Sequence, residues 1–183
     1  HGWTGKPNEH WLPWLGRELE KHDFEVQIPE MPNTDDPGMH EWVSELERFV
    51  GTPDADTYLI GHSIGCLAIL RYLEHSGGPA GGVVLVAPWL TLNPESYTDP
   101  DDANIASQWT ADGFDWDALK MACPNFVMLA SKDDPDVPFA ENESLFREKL
   151  GARSIVFDDK GHFTEGDGVT QLPSALEAIL QFA

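Results

Sequence analysis

Basic residues, cysteines and long apolar runs are all scarce in this chain, and each shortage removes a class of function. Only 11 Lys and Arg stand against 32 Asp and Glu among 183 residues, a formal charge of −21 at neutral pH. Such a surface repels phosphate backbones and anionic lipid alike, so nucleic-acid binding is not expected. The acidity fits a well-solvated surface; adaptation to a salty cytoplasm, in which ions screen self-repulsion, is the sharper alternative. Two cysteines, Cys66 and Cys123, do not make a disulfide framework. No run of about 18 apolar residues is present to cross a bilayer, and no basic region followed by an apolar stretch opens the chain as a leader would. The expectation is a cytoplasmic protein, monomer or homodimer, without membrane contact.

What is there is a regular alternation. With 41% hydrophobic residues the chain can fill one domain and is short for two, so 1–183 is expected to be a single domain. Trp11, Leu12, Leu15 and Leu19 recur at helical spacing within 8–22, and Met39, Trp42, Val43, Leu46 and Val50 do so before Gly51. Short apolar runs at 24–28, 57–60, 82–86, 126–130 and 153–157 read as strands; those at 82–86 and 126–130 are continuous enough to be covered on both faces. Helices are expected at 66–74, 139–150 and, begun by proline, 173–182. Strands alternating with helices predict a three-layer α/β domain with a mostly parallel sheet. The stretch from Pro88 to Asp115 stays irregular and is rich in Asp, Asn, Thr and aromatics. A connection of that length usually has a function.

The pentapeptide Gly61-His62-Ser63-Ile64-Gly65 falls between the run at 57–60 and the helix that follows. A G-x-S-x-G sequence alone is weak, but between a strand and a helix it reads as a nucleophile elbow. A turn this sharp forces the serine into a strained backbone region and crowds both flanking positions, which is why they are glycine. It also aims the first free N–H groups of the helix, including that of Ile64, at the place where a carbonyl oxygen becomes negative during acyl transfer. Acyl transfer further needs a base and an acid that orients it, in chain order Ser, Asp, His for this architecture. The loop Ser131-Lys132-Asp133-Asp134-Pro135-Asp136 follows the run at 126–130, and Asp134 is preferred because the residue before a proline is pushed to extended backbone. His162 follows the last predicted strand. His10, His22, His40 and His75 fall on predicted helices facing solvent, and His62 is expected to point away from the chemistry. The backbone N–H of Trp3, in His1-Gly2-Trp3, is the second candidate oxyanion donor. His-Gly normally ends a strand beside the elbow strand, so a strand leading into His1 is expected as well.

Taken together, His1-Gly2-Trp3, the Trp11-Leu12-Pro13-Trp14-Leu15 helix, Met31-Pro32-Asn33, the elbow with Arg71-Tyr72, the Val84 to Ala87 strand, Asp133-Asp134-Pro135 and Gly161-His162-Phe163 resemble the small serine hydrolases related to retinoblastoma-binding protein nine. These form a compact branch of the α/β-hydrolase superfamily. The resemblance implies a Ser63, Asp134, His162 triad, hydrolysis of small esters or amides, and no cofactor. The Leu-x-Cys-x-Glu motif tied to partner binding in the animal member has no counterpart here, where the matching region reads Leu46-Glu47-Arg48-Phe49-Val50.

The expected activity is carboxylester cleavage through an acyl-enzyme, with Trp89 and Trp109 of the long connection lining the acyl pocket beside Leu90 and Tyr97. Core filling is the alternative role for these aromatics. An amidase or aminopeptidase with the same triad is the nearest rival activity, and a non-catalytic binding protein on the same fold is the rival from another class. Metal binding by the aspartates around 133–136 and 158–159 lacks the alternation that hard-cation loops use.

Overall fold

Two sets of side chains leave each central strand in opposite directions, and that division sets the layers. A computed structural model describes residues 1–76 and 78–183. In it four strands, β1 (Tyr58–His62), β2 (Gly82–Val86), β3 (Phe126–Ser131) and β4 (Arg153–Phe157), form a parallel sheet in the order β1-β2-β3-β4. Along β2 and β3, Val83, Leu85, Phe126 and Met128 pack on one face, and Val84, Val86, Val127 and Leu129 on the other. Both strands are buried throughout, the result of a period of two with apolar residues at every position.

The first face is covered by α3 (Ile64–Ser76), α5 (Trp116–Ala122) and α6 (Phe139–Leu150), with α2 (Met39–Val50) packed on α3; the second is covered by α1 (Leu12–Glu20) and α7 (Pro173–Phe182). Pro13 is the second residue of α1 and Pro173 the first of α7, both in a first turn where the missing N–H is not needed. Gly51 and Gly151 end α2 and α6 at positive φ, the latter in the left-handed conformation favoured at helix C-termini. These are helices on both faces of a parallel sheet, the layering of an α/β-hydrolase fold.

Three expectations change. The run at 24–28 is extended, and Phe24, Val26 and Ile28 do turn inward with a period of two, but it joins no ladder. A strand needs a hydrogen-bonding neighbour. Among the described residues β1 pairs only with β2, and its other edge faces this segment across a cavity of about 660 Å3 bordered also by α1 and α2. The helix after the elbow starts at Ile64, immediately behind the serine, rather than at Cys66. The stretch from Pro88 to Asp115 contains a 3-10 turn at Pro94–Ser96 and the helix α4 (Asp102–Thr110), with α5 following. Cys66 and Cys123 are free and buried, and no helix among the described residues is long and apolar enough to cross a membrane.

Candidate active site

Every strand of a parallel sheet ends at the same edge, so the loops after β1, β3 and β4 are brought together there. Ser63 follows β1 directly. It has φ of 53°, a left-handed backbone that a serine adopts only when its surroundings compel it. They do: its N–H donates to the Val86 carbonyl at 2.9 Å, and its carbonyl accepts the Cys66 N–H at 2.9 Å. A side chain on Gly61 would bring Cβ to 2.7 Å from the Cys66 nitrogen, and one on Gly65 to 2.5 Å from the His1 carbonyl oxygen. Both glycines are therefore needed for space against backbone, which cannot move aside.

Of the aspartates after β3, Asp134 reaches His162. Its Oδ2 and Oδ1 lie 2.9 and 3.1 Å from His162 Nδ1. The same carboxylate accepts the N–H groups of Asp136 and Val137 at 2.9 and 3.0 Å, so its own loop holds it as well as the histidine. Asp133 turns the other way and accepts from the Ser131 hydroxyl and the Gly161 N–H, tying the two loops together. Asp136 stays 4.0 Å from Nδ1. Because carboxylates accept, Nδ1 carries the proton in a neutral His162 ring, and Nε2 presents a lone pair. Burial would depress the pKa of this ring, but the Asp134 hydrogen bond and the charges of Asp134, Asp136 and Asp167 outweigh it and raise the pKa above the ordinary value.

Ser63 and His162 line one cavity of about 1160 Å3 with Gly2, Trp3, Trp89 and Tyr97. Among the described residues, no protein acceptor pairs with the backbone N–H of Trp3 or of Ile64, and Ile64 opens α3 with its N-terminus free to receive negative charge. Trp89 belongs to the lining. Trp109 does not: it is fully buried, donates from Nε1 to the Pro37 carbonyl at 2.9 Å and meets Trp42 edge-on, so it anchors the long connection to the core. Leu90 packs inward likewise, while Leu92 and Ile105 of the same connection take places in the cavity wall.

Two histidines depart from expectation. His10 does not face solvent from a helix; it lines the cavity and exchanges hydrogen bonds with Glu165, its N–H to Oε1 and the Glu165 N–H to its Nδ1, both at 3.1 Å. His62 is buried against His162 rather than turned away. Asn142 is a further residue that supports the site. It occupies a buried position in α6 between Phe139 and Phe146, and its amide binds the Leu90 N–H at 2.7 Å and the Thr91 carbonyl at 3.1 Å. A polar residue within an otherwise apolar stripe was the available signal. Donor atoms of Asp134, Asp136 and His162 lie within 4.8 Å of one another, a spacing a metal ion could use. Asp134 and Nδ1 are already committed to each other, which leaves Asp136 as the uncommitted ligand.

The serine hydrolase family matches residues 1–181. This chain belongs to that family. It is 30% identical to the hydrolase YdeN of Bacillus subtilis over 184 residues, covering all of this chain and 93% of YdeN. The crystal structure of YdeN superposes with a TM-score of 0.90 over the whole of this chain and 95% of YdeN. Rat serine hydrolase RBBP9 is 29% identical over 166 residues, 89% of this chain and 78% of RBBP9. A monoacylglycerol lipase from Paleococcus ferrophilus, at 16% identity and a TM-score of 0.63 over 98% of this chain and 92% of the lipase, shares the α/β-hydrolase fold. The protein is thus a hydrolase of the serine type.

Proposed function

We propose that this serine hydrolase cleaves small carboxylic esters through an acyl-enzyme, with residues 1–183 acting as one α/β-hydrolase domain. Ser63 is the nucleophile, His162 the base and Asp134 the group that orients it. His162 Nε2 takes the Ser63 proton as the oxygen attacks the ester carbonyl, the Ile64 and Trp3 N–H groups receive the oxyanion, and His162 returns the proton to the leaving alcohol. Water, activated by the same ring, then releases the acid.

One observation carries the reading: Asp134 holds His162 by Nδ1, which points the basic nitrogen of a cavity-lining ring away from the carboxylate while Ser63 enters that same cavity on a strained elbow. Trp89 supplies an apolar wall for the acyl group. Carboxylates that include Glu9, Asp36, Asp99, Asp136 and Glu165 line the cavity with neither Lys nor Arg, so neutral or cationic substrates are favoured over anionic ones. That charge keeps an aminopeptidase or amidase with the same three residues as the second reading.

The test is hydrolysis of p-nitrophenyl esters and aminoacyl anilides, beside labelling by a fluorophosphonate, which reacts only with an activated serine. Ester turnover and labelling are expected in the native protein, with turnover reduced by about a thousandfold or more and labelling abolished in Ser63→Ala. Faster anilide than ester turnover would favour the second reading. Labelling that persists in Ser63→Ala would remove Ser63 from the chemistry.

A further inference from the structure

The residue just before the elbow serine carries a side chain that takes no direct part in the proposed acyl transfer. His62 is only 3% exposed, and its ring is enclosed by Trp11, His10 and His162, with centroids 6.0, 5.8 and 5.0 Å away. Its Nε2 lies 2.7 Å from the main-chain carbonyl oxygen of His162. A carbonyl only accepts, so Nε2 is the protonated nitrogen, and the tautomer of His62 is fixed by this one bond. Among the described residues the His162 carbonyl has no other hydrogen-bond partner, and the His162 N–H is held at 3.1 Å by Asp167 Oδ2. Both polar groups of the His162 backbone are thus held by side chains.

That loop needs holding. Gly161 and Phe163 flank His162 at φ of 49° and 58°, and a phenylalanine in the left-handed region stays there only under outside constraint. Phe163 is fully buried and supplies part of that constraint; His62 supplies a directional part, because it acts on the main chain of the histidine itself.

We propose that His62 is a positioning residue: by donating Nε2–H to the His162 carbonyl it sets the approach of the His162 ring to Ser63 and to Asp134. The inference rests on the reading of Ser63 and His162 given above. It makes the last residue of β1 orient the base while the next residue supplies the nucleophile, so that both are referred to one rigid strand end. His62 faces His10 and His162; His162 faces Asp134 and Asp136 from the loop after β3, Asp167 from its own loop, and His62. Burial first, then the neighbouring His162, holds the pKa of His62 well below the ordinary value. It therefore donates as a neutral ring and adds no charge against the imidazolium that forms on His162.

The test compares His62→Phe, which keeps a ring and removes the donor, with His62→Gln, whose amide can reach the carbonyl, and His62→Asn, whose amide is too short. The readouts are kcat and KM for a p-nitrophenyl ester and the acid limb of kcat/KM against pH, with folding followed by circular dichroism. His62→Phe is expected to lower kcat about 30-fold with KM within about twofold, the size of effect that an ångström-scale misplacement produces. It should also move the acid limb to lower pH, because a loosened Asp134 contact no longer raises the His162 pKa. His62→Gln should recover most of both. If His62→Phe does not fold, the same contrast is read between His62→Asn, impaired and shifted, and His62→Gln, close to native. Native kcat and an unmoved limb in His62→Phe, or equal behaviour of Asn and Gln variants, would overturn the proposal. If Ser63→Ala is inactive in that case, the reading of the site survives; full activity in Ser63→Ala would sink both.

Discussion

The elbow and the connection from Pro88 to Asp115 line the same cavity and are held in opposite ways. From Gly61 to Leu70 every residue is buried, the turn is pinned to β2, and any Cβ on either elbow glycine strikes backbone. The connection lies largely on the surface and is fixed at a few points. Asn142 binds its start, Trp109 plugs into the core from α4, and Arg71, buried and paired with Glu74, donates to the Trp109 carbonyl at 2.8 Å while Glu74 Oε1 accepts the Asp115 N–H at 2.6 Å. Under the proposed function the difference has a reason: a nucleophile tolerates little displacement and is built into the sheet, whereas a wall that shapes a substrate can vary between its anchors.

Breaking the elbow should have the largest effect. Gly61→Ala places a methyl group 2.7 Å from the Cys66 nitrogen, and the expected result is either no soluble protein or ester turnover reduced by about 100-fold or more, measured beside a thermal melt. Removing an anchor of the connection comes next. Trp109→Ala should cost about 3–5 kcal/mol by denaturant unfolding, since it deletes a fully buried indole and leaves the Pro37 carbonyl unpaired.

A change in pH tests the elbow side without mutation. In the proposed mechanism His162 must be neutral to accept the Ser63 proton, and its pKa lies above the ordinary value, so kcat/KM should fall about tenfold per pH unit on an acid limb whose midpoint lies above about 6.5. The sign is opposite for stability: a raised histidine pKa contributes stability below about pH 6.5 that is lost as pH rises through the folded-state value. Asp134→Asn should move the limb downward. The smallest effect is expected on the surface of the connection. Tyr97, which is half-buried in the cavity wall, should on change to Ala raise KM about three- to tenfold for bulky acyl esters with little change in melting temperature. An equal effect of Tyr97→Ala on kcat for all esters would erase the distinction between the two regions.

Much of this contrast is legible in the chain. The elbow can be read because its requirements are local: two glycines, a serine, a preceding β run and a following helix lie within a dozen residues. The helices Met39–Val50, Phe139–Leu150 and Pro173–Phe182 and the strands Gly82–Val86 and Arg153–Phe157 are bounded by prolines, glycines and changes of hydrophobic period, and the structure has them at those limits. Asp134 could be singled out from its neighbours because Pro135 restricts its backbone. The inward faces of Trp109, His10 and His62 were not legible, since each is decided by a partner far along the chain: Pro37, Glu165 and His162 lie 72, 155 and 100 residues away. The extended segment at 24–28 failed as a strand for the same reason, because alternation reports which face is buried and not whether a ladder partner stands beside it.

By itself, then, the sequence determined the alternating α/β layers, the family resemblance and the residues suited to acyl transfer, because these follow from short-range periodicity, turn sterics and side-chain chemistry. Only the tertiary structure decided that Asp134 holds His162 in a single tautomer, that His62 grips the backbone of that histidine, and that Trp109 is an anchor while Trp89 is a wall. Those outcomes depend on which strand ends meet at one edge of the sheet, and that is fixed by packing across the whole chain.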